Sequence, residues 1–279
     1  MASETQQVRR GAPGELAPLP GQPELVLRAF AYWLAQYRRT WRGTTISTVL
    51  EPLGFLAAMG LGLGVLVDAG TGSSSLPGVG YLEFIAPGLL AASAMQMASF
   101  ESTYPVMGAI RWNKQYHGML ATPLRVVDVL AGHLLFVAAR LLVTTTVFLA
   151  VMFAFGAVDT PWAVLAVPVG VLTGMAYSPA IFAFAATIQE NSGFAMLFRF
   201  GIMPMFLFSG TFFPVSQLPD WMEPVAWVVP LWHGVDLARD IALGTVGAGS
   251  AVLHVAYLLA WVAGGFLLAR RAFTKALVT

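Results

Sequence analysis

Six long apolar stretches, at residues 44–67, 82–107, 129–155, 162–188, 194–213 and 251–268, constrain this chain more than any other feature. At about 1.5 Å per residue, each suffices for a helix crossing a hydrocarbon core of about 30 Å. In lipid every backbone N–H and C=O must find a partner inside the protein, so apolar spans of this length are helical. Charged residues make up 10% of the chain, against about 25% in a typical soluble domain. The expectation is an all-α polytopic membrane protein with six transmembrane helices. There is no cysteine, which excludes disulfides, thiol catalysis and cysteine-ligated metals.

Charge bias sets the orientation. Arg9, Arg10, Arg28, Arg38, Arg39 and Arg42 precede the first span, Arg111, Lys114 and Arg125 lie in the loop 108–128, and Arg270, Arg271 and Lys275 close the chain. The alternate loops, 68–81, 156–161 and 214–250, hold Arg239 alone. Lys and Arg accumulate on the cytoplasmic side, so both termini are expected there. Residues 1–22 are polar and rich in Pro and Gly, and no apolar core follows Arg9-Arg10, so a flexible cytoplasmic tail is expected and not a signal peptide. Residues 23–42 read as an amphipathic helix along the inner headgroups, with Leu27, Phe30, Leu34, Tyr37 and Trp41 at spacings of three and four. A soluble partner-binding helix is the alternative. Residues 43–279 then form the transmembrane domain.

Residues 206–244 are unlike any soluble loop. Pro214, Pro219, Pro224 and Pro230 break it repeatedly, and Trp221, Trp227 and Trp232 are rings suited to a membrane–water interface. Two short helices in the outer leaflet are expected at 214–244, ahead of the sixth span, with Phe213, Pro214, Trp221, Trp227, Pro230, Trp232 and Arg239 as a candidate outer gate. The second loop carries Arg111, Trp112, Lys114, Tyr116 and His117, then Thr122-Pro123. Its residues 111–119 suit one or two helical turns that Pro123 ends. They read either as a docking element for a partner or as an ordinary positive-inside loop.

Glu51, Glu101 and Arg140 are charges placed inside spans, where burial is costly and a partner or polar cavity is needed. Glu101 and Arg140 sit on neighbouring spans at roughly matched heights and suit an ion pair, while Glu51 suits the headgroup level. Gly60, Gly62 and Gly64 suit close helix packing. Pro87, Pro105, Pro168, Pro179 and Pro204 are expected to kink their spans. No GxxxxGK[ST] is present, so the chain binds no nucleotide through a P-loop. His117, His133, His233 and His254 are scattered without metal-ligand spacing, and there is no GxSxG motif and no basic aromatic groove for nucleic acid.

The run Phe208-Ser209-Gly210-Thr211-Phe212-Phe213-Pro214-Val215, then Leu218-Pro219, Pro230-Leu231 and Val235-Asp236-Leu237-Ala238-Arg239, resembles the membrane subunit of type-2 ABC exporters. The nearest subgroup is the nodulation-factor and daunorubicin-resistance permeases, and Gly118-Met119-Leu120-Ala121-Thr122-Pro123-Leu124 is similar to that family's cytoplasmic signature. The resemblance runs from about residue 23 onward. It implies six spans, an interface helix, a coupling helix between the second and third spans, and outer-leaflet helices before the sixth. It also implies a dimer of permeases in the bacterial inner membrane, a homodimer being the simplest form. Two copies of a separate ATPase would bind ATP and Mg2+, and this chain would hold no cofactor and catalyse nothing itself.

The expected function is ATP-driven export of an amphipathic or lipid-linked molecule such as a drug, glycolipid or polysaccharide-lipid. Two other classes compete. A secondary transporter or channel would move ions through Glu101 and Arg140, and a lipid-modifying enzyme would use His233, Asp236 and Arg239, at i, i+3 and i+6.

Overall fold

A computed structural model describes residues 21–64, 79–190 and 192–278, and its described residues are helical with no strand. Residues 1–20 of the tail and most of the loop 68–81 lie outside the described residues, as do the surroundings of Gly60 and Gly64 in the glycine-rich seam.

α1 (Gln22–Leu56) opens with Pro23 in its first turn, where the missing N–H costs nothing, and continues as a wider π-helix over Ala57–Gly64. No break separates the expected interface helix from the first span. The buried line on α1 is Leu25, Ala29 and Trp33, whereas Leu27 and Trp41 are exposed. The most deeply buried line is thus one position off the expected stripe, of which Phe30 and Tyr37 still pack, half-buried, against the core.

α2 (Tyr81–Ser102) begins where the Glu83 carboxylate accepts the Gly80 N–H at 3.3 Å. It stops short of the expected 107: the backbone turns at Thr103, and a short helix over Tyr104–Met107 and a π turn over Gly108–Trp112 follow. Pro105 explains this, since its ring would meet the carbonyl of Glu101 and it has no N–H to give. α3 (Gln115–Leu120) starts at Lys114, whose φ of 50° turns the chain sharply. α4 (Val126–Ala154) is capped by Asp128, which accepts from the Arg125 N–H at 3.0 Å.

α5 (Ala166–Thr187) extends a 3₁₀ turn over Pro161–Leu165. α6 (Ser192–Phe208) is interrupted by a π segment over Leu197–Ile202, just ahead of Pro204. α7 (Glu223–Val228) and α8 (Pro230–Leu243) are the two short helices expected in the outer loop, and Gly244 ends α8 with a φ of 71°. α9 (Ala248–Val278) completes the chain.

Among the described residues, three helices are long and apolar enough to cross a membrane: Val126–Ala154, Pro161–Thr187 and Ala248–Val278. α2 has the length, with 22 residues, but carries Glu83, Gln96 and Glu101 among its apolar side chains. α5 is the hub, packing against α2, α4, α8 and α9, while α1 packs chiefly on α4. Two glycines allow the tightest crossings. At Gly132 an added Cβ would lie 2.5 Å from the Ala29 Cβ, and at Gly234 one would lie within 3 Å of the Thr173 side chain.

Candidate functional site

Three groups of polar and aromatic residues stand along the bundle. At one end, α3 presents two faces. Tyr116 is fully buried and Met119 nearly so, while Arg111, Trp112, Lys114, His117, Thr122 and Pro123 are exposed. The Tyr116 hydroxyl lies 2.5 Å from His133 Nδ1, and burial pushes the phenol well above its ordinary value, so it keeps its proton. The His133 ring stacks on Trp33 at 3.8 Å and meets Phe182 edge-on at 5.0 Å, and Phe273 closes the box at 5.4 Å from Tyr116. Of the residues expected to face a partner, Tyr116 instead anchors the helix. His133 was a candidate from its place inside a span, but its partners were not foreseen, and Trp33 was not singled out by sequence reasoning.

In the middle, Arg140 and Glu101 form the expected ion pair at 3.3 Å. The guanidinium also lies over the Tyr37 ring at 4.5 Å, so Arg140 is held by α1 and α2 together. Close by, the Ser102 and Ser178 hydroxyls meet at 2.7 Å. Glu51 is exposed.

At the other end, the polar atoms of α7 and α8 are satisfied by distant helices. The first free N–H of α8, on Leu231, donates to the Tyr177 hydroxyl at 3.0 Å. His233 Nε2 lies 2.9 Å from the Trp227 carbonyl, and the Tyr257 hydroxyl donates to the Val228 carbonyl at 2.6 Å. Two histidines that look scattered in sequence meet here, His233 Nδ1 to His254 Nδ1 at 2.8 Å, with Asp236 3.4 Å from His254 Nε2. Arg239 turns elsewhere. It donates to the Phe84 carbonyl at 3.1 Å and the Gly210 carbonyl at 2.7 Å, and its guanidinium lies 3.8 Å above the Phe84 ring. His233, Asp236 and Arg239 therefore do not converge on one point. Pro230 is buried, Phe213, Pro214 and Trp232 are half-buried, and Trp221 and Trp227 are exposed.

Arg239 closes the loop at Gly210, whose φ of 80° suits glycine alone. Arg239→Met should strand two carbonyl acceptors, at about 1.5–3 kcal/mol for each hydrogen bond to a charged group. The expected outcome is faster proteolysis in 209–220 at a lowered melting temperature. An unchanged cleavage rate would show that the loop is held by other contacts.

A cavity of about 810 Å³ opens between α1, α2 and α6. Phe55, Phe100, Phe198, Phe200, Met203 and Phe206 dominate its wall, and Gln96 and Arg199 are its polar members. No group of three or more His, Asp or Glu among the described residues could hold a metal ion.

Residues 26–243 match the family model described as ABC-2 type transporter. Nodulation protein J of Rhizobium leguminosarum bv. trifolii is 34% identical over 221 residues, covering 76% of this chain and 81% of that protein. Nodulation protein J of Rhizobium leguminosarum bv. viciae is 32% identical over 246 residues, covering 84% and 91%. That of Sinorhizobium fredii is 30% identical over 243 residues, covering 85% and 90%. With a family match across most of its length and helices able to cross a membrane, this chain belongs to the ABC-2 type transporter family, as a membrane permease.

Proposed function

We propose that the chain is the permease of an exporter that carries an amphipathic or lipid-linked molecule outward, driven by ATP in a separate subunit. The observation that carries this is the two-faced segment around α3. Tyr116 and Met119 of α3 are locked into the bundle, while Arg111 and Trp112 of the preceding π turn, Lys114 just before α3 and His117 on it are exposed at the end expected to be cytoplasmic. In this reading two permease copies, most simply identical, pair with two ATPase subunits in the bacterial inner membrane. Each has six spans, with residues 1–22 and the C-terminus inside, and α7 and α8 gating release at the outer leaflet.

The cavity supports the substrate class. Its wall of aromatic and Met side chains suits an acyl or polycyclic body, and Arg199 and Gln96 suit a polar or anionic head. The Glu101–Arg140 pair is closed and capped by Tyr37, so it reads as a brace within the bundle.

Replacing Arg111, Lys114 and His117 by Ala should leave the chain folded, since all three are exposed. ATP-dependent export by the purified complex should fall about 10-fold or more, the scale of about 1.4 kcal/mol or more of lost contact energy. Full coupling in that variant would sink the assignment, as would a purified parent chain that never brings an ATPase with it.

A further inference from the structure

The exposed face of α3 explains how a partner could engage it; the buried face bears on where the force goes. We propose that Tyr116, His133 and Trp33 form a relay that carries displacement of α3 into α1 and α4, a step that rests on the exporter reading above. The three side chains come from three separate elements and stand in line: hydroxyl to imidazole at 2.5 Å, then imidazole flat against indole at 3.8 Å with 14° between planes.

The line is backed on every side. Phe182 of α5 and Phe273 of α9 stack on each other at 5.9 Å behind it, and Phe136 flanks Trp33 at 6.4 Å. Beside His133, Gly132 brings the α4 backbone against Ala29, one turn before Trp33 on α1. A close-packed interior has no void to absorb a shift, so motion entering at Tyr116 is passed on. The other polar link from α3, Gln115 to Gln36 at 3.0 Å, is exposed, and water can replace it. Tyr116, His133 and Trp33 are thus positioning residues that connect the partner-facing helix to the span lining the cavity at Phe55.

The chain has no cysteine, so Asp220→Cys, at an exposed position in the outer loop, gives it one site for a polarity-sensitive maleimide dye. The labelled chain is reconstituted with its ATPase in proteoliposomes. ATP hydrolysis and the ATP-induced dye response are then read together, without any need to know the substrate. Tyr116→Phe keeps the ring and the box and deletes one hydrogen bond. It should leave assembly and hydrolysis near the parent and cut the response per ATP hydrolysed about 3- to 10-fold, as expected for one buried hydrogen bond. His133→Phe should do the same, and the double variant should be no worse than either single one, because both break one link.

A merely structural role would lower assembly and hydrolysis together and leave the response per ATP intact. A parent that responds while Tyr116→Phe responds equally removes the relay alone. A parent chain that recruits no ATPase removes the relay and the exporter reading together.

Discussion

Arg140→Leu is expected to cost about 3–5 kcal/mol of stability, because it leaves the Glu101 carboxylate without its partner inside the bundle. The Arg140 side chain is 9% exposed and that of Glu101 20%, so neither can turn fully to solvent. The same substitution also removes the guanidinium from the Tyr37 ring, a contact worth about 0.5–2 kcal/mol. Glu101→Ala should be milder, since Arg140 keeps Tyr37 and the Met97 sulfur at 3.8 Å. The double variant Glu101→Gln/Arg140→Gln removes both charges and should recover most of the loss, because a neutral pair avoids the uncompensated ion. Thermal unfolding in detergent micelles orders the four proteins. If the double variant melted as low as Arg140→Leu, charge pairing would not be what the site supplies. Transport separates bracing from ion movement. A brace leaves the double variant active, whereas a pair that moves protons leaves it inactive.

Gly132→Ala should be among the most damaging single-methyl changes at the described residues. The new Cβ would meet the Ala29 Cβ at 2.5 Å, and also the Phe30 nitrogen and the Val26 carbonyl oxygen at 2.9 Å. Two of those three are backbone atoms of α1, which cannot rotate aside as a side chain can. Overpacking of this kind costs about 1–3 kcal/mol and more where backbone must shift. Ala29→Gly added to Gly132→Ala clears the first clash but not the other two, so only partial recovery is expected. Gly54→Ala is the control. Nothing lies within 4 Å of its added Cβ, and in a helix it should be neutral or stabilising by about 0.5–1 kcal/mol. Equal melting temperatures for the Gly132 and Gly54 variants would mean that α1 and α4 do not meet as closely as described.

The two glycines show how differently the parts of this molecule are written into its chain. Gly244 at the end of α8, Pro23 at the start of α1 and the break near Pro105 act on their own few residues, and each was legible from sequence because proline and glycine restrict or free the local backbone. The helical turns of α3, the pair of outer helices and the apolar runs of α4, α5 and α9 are of the same kind. Gly132 looks like any other glycine of an apolar helix until α1 is laid across it.

The candidate sites divide along the same line. Arg111, Lys114 and His117 could be chosen from sequence because exposure of a short, polar, basic segment follows from its composition. The pairing of Glu101 with Arg140 was legible because unpaired ions in lipid are costly and these two stand at similar depth. Tyr116 was misplaced among the partner-facing residues, since a six-residue helix has no periodicity long enough to say which side is buried. On α1 the expected stripe is packed in part, through Phe30 and Tyr37, but the most deeply buried line, Leu25, Ala29 and Trp33, depends on how α4 lies across the helix.

Amino-acid sequence alone therefore determined the solvent this protein lives in and the order of its apolar segments, because those depend on hydropathy and backbone stereochemistry within a few residues. Tertiary structure alone decided that Tyr116 meets His133 and Trp33, that His233 meets His254, and that Arg239 reaches carbonyls 155 and 29 residues away. Those contacts depend on which helix faces touch. In a bundle whose helices are apolar nearly all round, close packing and the pairing of buried polar groups such as Tyr116, His233 and Arg239 make that choice, and hydropathy does not.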